Sequence, residues 1–99
     1  MNIFITKSKK NNKKYDAIFN DNKIISFGAK GYSDFTINKD ENKKDNYIKR
    51  HEVNEDFTKR GIKTAGYLSR YILWNKPTIK ESIKDLNNKY KDVKFTFIN

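Results

Sequence analysis

The basic side chains are the residues of this sequence best suited to chemistry, because lysine and arginine are the groups that bind phosphate. The chain has 22 Lys and Arg against 12 Asp and Glu, which gives a formal net charge of +10 at pH 7. A basic surface gains affinity for nucleic acid by releasing counterions from its phosphates. The candidate nucleic-acid contacts are Lys9, Lys10, Lys13, Lys14, Lys30, Lys49, Arg50 and Arg70.

Codon bias is the competing explanation of this charge. Lysine outnumbers arginine 19 to 3, and Asn, Lys and Ile together supply 44 of the 99 residues. An A+T-rich gene gives such a composition without selection for binding. Arginine binds phosphate with two parallel hydrogen bonds and suits it better than lysine does, so the scarcity of arginine weakens the case for a nucleic-acid partner. The charge alone therefore leaves both a nucleic-acid partner and codon bias open.

Catalytic chemistry has little support in the residue types. The chain has one histidine, His51, and no cysteine, so we interpret His51 as a capping or packing residue at a helix end. Surface carboxylates could hold Mg²⁺ for a nuclease, but on a lysine-rich helix they are usually solvated ion-pair partners. We expect no catalytic residue, no metal and no cofactor, and a Mg²⁺-dependent nuclease is the least favoured alternative.

The stretch from Phe27 to Thr36, the hinge, separates an N-terminal part with strand-like alternation from a part with helical apolar spacing. Gly28 and Gly31 enclose Lys30, and their spacing invites comparison with the GxxG loop that clamps nucleic-acid backbones. That loop joins two helices, whereas this one follows a strand. The glycines could expose amides as an anion-binding nest or supply the positive φ of a strand exit.

Aromatic residues could serve as stacking platforms for single-stranded bases, or they could form the core. They are Tyr32, Phe35, Tyr67, Tyr71 and Trp74. We expect Tyr32 and Phe35 to pack under the second helix. Arg70 lies within an apolar helix, and either an internal partner such as Asp34 or a phosphate would explain it.

The periodicity of the apolar residues predicts the elements that position these side chains. Residues 1–27 alternate as a three-stranded meander, and Val93, Phe95 and Phe97 alternate as a final strand. The connection over residues 7–14 is polar and lysine-rich. It is either a site that straddles a phosphate backbone or a solvated hairpin loop.

Three helices are predicted after the hinge. Asn38 and Glu41 fit a capping box for the first, which ends at Lys49-Arg50-His51. The second covers about residues 64–74, contains Gly66 as a sign of close packing, and ends at Asn75-Lys76-Pro77. Thr78 and Glu81 cap the third.

The predicted fold class is α+β. A small antiparallel sheet, made of the N-terminal meander and the C-terminal strand, packs against about three helices in a single domain over residues 1–99. No apolar run approaches a membrane span, and the first residues lack the pattern of a signal peptide. We therefore expect an intracellular or virion-interior protein that is neither secreted nor bound to a membrane.

Several ordered motifs resemble a family of small basic proteins of unknown function from the nucleocytoplasmic large DNA viruses. They are Gly31-Tyr32-Ser33-Asp34-Phe35-Thr36, Lys39-Asp40, Tyr47-Ile48-Lys49-Arg50-His51, Glu55-Asp56-Phe57, residues 64–71 and Leu73-Trp74-Asn75-Lys76-Pro77-Thr78. The family pattern has a histidine where this chain has Asn38. The absence of that histidine removes a candidate catalytic or metal-binding residue and lowers the expectation of catalysis here. The resemblance implies a viral origin, in the virion or the viral factory, and assigns no activity.

Two hypotheses of different kinds follow. The first is a non-enzymatic protein that binds the phosphate backbone of DNA or RNA without reading sequence, through the basic residues named above. The second is a structural or interaction module, such as a minor capsid component, that docks a virion protein. The oligomeric state is left open.

Overall fold

The structure is a computed structural model, and it describes residues 1–98. Its sheet has four strands in the order β3-β2-β1-β4. They are β1 (Asn2–Lys7), β2 (Lys13–Phe19), β3 (Ile24–Ala29) and β4 (Lys94–Phe97). The three-stranded N-terminal meander and the α+β class are thereby confirmed.

The C-terminal strand makes the sheet mixed. The pairs β1–β2 and β2–β3 are antiparallel, whereas β4 runs parallel to β1, with Phe95 opposite Ile3. Parallel neighbours cannot be joined by a tight hairpin. Here the rest of the chain forms the connection, and the last helix leads the chain into β4. The expectation of a purely antiparallel sheet missed this crossover.

One face of the sheet carries the core. Ile3 and Ile5 on β1 lie opposite Phe19 and Ala17 on β2, and all four are buried. Alternate residues of a strand point to the same face, so Phe27 and Phe95 extend this surface onto the outer strands. The apolar helix residues that cover it are Ile62, Tyr67, Leu68, Ile72, Leu73, Ile83 and Leu86.

The first predicted helix begins later than expected. A short helix α1 (Phe35–Asn38), capped by Asp34, precedes α2 (Glu41–His51), which is capped by Asp40. Lys39 has φ 52°, a left-handed conformation that ends α1 and separates the two helices. Asn38 therefore does not cap α2, and its side chain instead accepts a hydrogen bond from the Asp40 amide.

The second predicted helix has two parts. It starts as α3 (Ala65–Leu68), capped by Thr64, and continues as a π-helical turn over Ser69–Leu73. The Trp74 amide donates to the carbonyl of Ser69, five residues back, at 3.0 Å. Such π turns are rare and often occur at functional sites.

The third predicted helix is confirmed as α4 (Ile79–Lys89). The hydroxyl of Thr78 accepts from the Glu81 amide and donates to the Glu81 carboxylate. A 3₁₀ turn at Lys59–Gly61 lies between α2 and α3. No helix within residues 1–98 is long and apolar enough to cross a membrane.

Candidate functional site

A cavity of about 440 Å³ lies where the hinge meets the end of α2 and the start of α3. It has the size of small-molecule sites in proteins. Three basic side chains line it, together with two carboxylates, one histidine and three large aromatic rings, one of which is the exposed Tyr32. Its principal lining residues are Lys13, Lys14, Asp34, Tyr47, Arg50, His51, Glu55, Gly66, Ser69 and Trp74.

The two hinge glycines bring the chain to this cavity. Gly28 has φ 77° and Gly31 has φ 89°, a region that side chains rarely adopt. A Cβ atom on Gly28 would lie 2.7 Å from the Cδ1 atom of Leu73, whereas a Cβ on Gly31 would meet nothing within 4 Å. Gly28 therefore allows β3 to approach the π turn, and Gly31 supplies only the bend.

An ion pair fixes the hinge to β2. The Lys14 ammonium lies 2.5 Å from Asp34 Oδ2 and also donates to the carbonyl of Tyr32. Asp34 Oδ1 accepts from the Thr36 amide, and the Asp34 side chain is only 2% exposed. A buried carboxylate needs such partners.

Arg70 is not the partner of Asp34, and that prediction is wrong. The Arg70 guanidinium donates to the carbonyl of Trp74 at 2.8 Å and lies over the ring of Tyr71. It thus closes the π turn on its own segment, and the cavity lining does not include it. The planar guanidinium can donate a hydrogen bond to a carbonyl and stack on an aromatic ring at the same time.

A stack of three rings forms one wall of the cavity. The Tyr47 ring lies 4.2 Å from His51 and 4.5 Å from Trp74, with only 8° between the planes of Tyr47 and Trp74. Because one ring face has room for one neighbour at this spacing, His51 and Trp74 cover opposite faces of Tyr47. Burial, with the nearby charge of Glu55, raises the pKa of Tyr47 to about 12.

His51 thus packs against a ring, as expected, but its partner was not predicted. Tyr47 and His51 are one helical turn apart on α2, which is the spacing of side-chain neighbours. Trp74 is far away in the sequence, and no local pattern connects it with α2. Only the tertiary packing brings the three rings together.

Glu55 closes the cavity against Gly66. A Cβ atom on Gly66 would clash with Oε2 and Cδ of Glu55, so the Glu55 carboxylate occupies the space that a side chain at position 66 would need. The predicted close packing at Gly66 is confirmed. The sequence did not indicate that the neighbour is an acid.

A second cavity, of about 390 Å³, shares Lys14 and Asp34 with the first. Lys7, Lys30, Tyr15 and Ile37 are among its other lining residues. The Lys14–Asp34 ion pair therefore lies in the wall between two adjacent cavities, each with cations around it.

The other predicted contacts lie in different places. Lys9 and Lys10 are exposed in the loop between β1 and β2, and Lys49 is exposed on α2. Lys13 and Lys14, expected in that loop, belong to β2. The structure thus brings four of the eight candidates, Lys13, Lys14, Lys30 and Arg50, to the cavities.

The aromatic candidates divide between surface and core. Tyr32 is 74% exposed, so the expectation that it packs under the second helix is wrong: the bend at Gly31 turns it outward. Phe35 is buried at the start of α1. Tyr67 is buried and donates its hydroxyl hydrogen to Tyr90, which makes it a core residue.

The acidic residues do not form a metal site in the part of the chain that the structure describes. Among residues 1–98, no group of three or more His, Cys, Asp or Glu side chains is placed to hold a metal ion. Asp34 and Glu55 line the first cavity separately, one held by Lys14 and the other against Gly66.

The fold and the site therefore define a small basic α+β protein with a cavity whose lining combines cations and aromatic rings. Residues 4–51 match the model of DUF5754, a family of unknown function. This span includes three of the motifs that carry the viral resemblance, residues 31–36, 39–40 and 47–51, and it ends before Glu55. No curated protein and no solved structure matches the chain.

Proposed function

We propose that this protein binds the phosphate backbone of nucleic acid, without enzymatic activity and without reading base sequence. One observation supports this function above the others: basic side chains surround two adjacent cavities beside the hinge. Those whose ammonium or guanidinium is not committed to the Asp34 pair are Lys7, Lys13, Lys30 and Arg50. Five of the 22 basic side chains line these two cavities, and the low-dielectric walls of a cleft focus the field of the charges that line it.

The salt dependence of binding tests the proposal. Each phosphate contact contributes about −0.7 to the slope of log K against log salt for a single strand. Engagement of Lys7, Lys13, Lys30 and Arg50 would give a slope of about −3. The measurement is fluorescence anisotropy of a labelled oligonucleotide between about 50 and 200 mM salt.

A pair of matched variants tests whether the salt-dependent binding comes from the cavity residues or from the net charge of the protein. Lys13→Ala should reduce the magnitude of the slope by about 0.7 and weaken binding to all sequences alike. Lys84→Ala is the control, because Lys84 is exposed on α4, lines neither cavity and changes the net charge equally. Equal effects of the two variants, or no binding of DNA or RNA at about 50 mM salt, would refute the proposal.

A protein-docking role is the second candidate, and the outer face of the sheet favours it. Phe4 lies opposite Ile18, and Ile18 lies opposite Ile24, so an apolar row crosses three strands. Phe4 is 37% and Ile24 is 57% exposed. Co-purification with a capsid protein that survives nuclease treatment would support this role over the first.

A viral origin is part of the same proposal. It is supported by the resemblance of Gly31–Thr36 and Tyr47–His51 to proteins of large DNA viruses, and it implies action in the virion or the viral factory. Detection of the chain in purified virions of such a virus would support it. A gene located only in cellular genomes would contradict it.

A further inference from the structure

We infer that the larger cavity receives one unpaired nucleobase, so that the protein binds single strands in preference to duplexes. This inference rests on the proposed binding of nucleic acid and specifies its form. Phosphate contacts alone need only a basic surface, whereas the cations of this site line a concave cavity of about 440 Å³. A cavity of this size suits a single small-molecule unit.

The aromatic wall is the first feature that fits a base. Tyr47 is covered on both faces, so the stack ends at His51 and Trp74, and both of these rings line the cavity. Each is only partly buried. A base that stacks on either ring would extend the column by one member, and such stacking contributes about 1–3 kcal/mol per base.

The polar lining supplies contacts for the rest of a nucleotide. The Glu55 carboxylate, held against Gly66, is an acceptor of the type that pairs with the exocyclic amino group of cytosine. Lys13 and Arg50 line the same cavity and can meet the flanking phosphates. Stacking, acceptor and cationic groups thus line one open cavity.

A duplex cannot fill this site without loss of pairing. Its bases are stacked and paired inside the helix, and their extrusion costs a few kcal/mol. A single strand avoids that cost. The exposed Tyr32 on the hinge offers a further ring for a neighbouring base.

Trp74 makes the test direct, because it is the only tryptophan in the chain and its fluorescence reports on the stack. The wild-type protein is titrated with three probes of about ten nucleotides: a single strand of cytidines, an abasic strand with the same phosphates, and a duplex. The cytidine strand should quench Trp74 and bind about tenfold more tightly than the abasic strand.

The outcomes separate the two proposals. Equal affinity for the cytidine and abasic strands, with unchanged fluorescence, would overturn base insertion and leave phosphate binding intact. Absence of binding by all probes at about 50 mM salt would overturn both. Equal quenching by the duplex and the single strand would overturn the preference for single strands.

A Glu55→Gln variant tests the acceptor separately. Removal of its charge should favour every polyanion, so the informative quantity is the ratio of cytidine-strand to thymidine-strand affinity. Thymine lacks the exocyclic amino group, and the ratio should therefore fall in the variant. An unchanged ratio would refute the role of Glu55 in contacting the base.

Discussion

Replacement of Gly28 by alanine tests the packing between the hinge and the π turn. An L-residue in the left-handed region costs about 1–2 kcal/mol, and Gly28 has φ 77°. The new Cβ would also lie 2.7 Å from Cδ1 of Leu73, which is 2% exposed in the core. Overpacking of a core costs about 1–3 kcal/mol, so Gly28→Ala should destabilise the protein by about 2–5 kcal/mol in total.

Gly31→Ala is the matched control for this variant. Gly31 has φ 89°, and its Cβ would meet nothing within 4 Å. Only the conformational term remains, so the expected loss is about 1–2 kcal/mol. The difference between the two variants isolates the contact with Leu73.

Urea unfolding measures both losses, and thermal unfolding should show a drop of about 4–8 °C per kcal/mol for a domain of this size. In a Leu73→Ala background, Gly28→Ala should lose its steric cost and approach the cost of Gly31→Ala, because a double-mutant cycle reports the coupling. Equal losses for Gly28→Ala and Gly31→Ala in the wild-type background would refute the close packing.

Two further predictions concern the walls of the cavities. Lys14→Met should lower the free energy of unfolding in urea by about 3 kcal/mol, because it leaves the Asp34 carboxylate buried without its cation. Adding Asp34→Asn should restore part of that loss. Unchanged stability of the Lys14→Met variant would contradict the role of the pair. The neutral phenol of Tyr47 is favoured by the fold, since its pKa rises from 10.0 to about 12. Its stabilisation should therefore be complete below about pH 10 and lost as the pH rises through 12. Absorbance titration should show that Tyr47→Phe removes a late-ionising phenol, and an unchanged alkaline titration would contradict this.

Local patterns were sufficient for most of the elements. The alternation of Ile3 and Ile5 and the capping box at Thr78 depend on a few adjacent residues, and the structure has both. The start of α2 was misplaced because Asn38 and Asp40 are both good caps. The left-handed Lys39 decides between them, and a lysine gives no signal of that conformation.

The site was harder to predict because its contacts connect distant parts of the chain. Lys14 and Asp34 are 20 residues apart, and Trp74 reaches Tyr47 from a different element. Opposite charge made Asp34 a candidate partner of Arg70, whereas in the structure the Arg70 guanidinium donates to the carbonyl of Trp74. Residue type indicated that Asp34 and Arg70 would have partners, but only the packing determines which ones.

The Lys14–Asp34 ion pair shows why folding and binding should separate in this protein. Lys14 lies in the wall of both cavities, but its ammonium is held by Asp34 and the Tyr32 carbonyl. A phosphate would have to compete with a buried carboxylate for it. Lys13 immediately precedes Lys14 on β2 and also lines the first cavity, but it takes no part in that ion pair. Loss of Lys13 should therefore reduce binding at nearly constant stability, whereas loss of Lys14 should reduce stability before it affects binding.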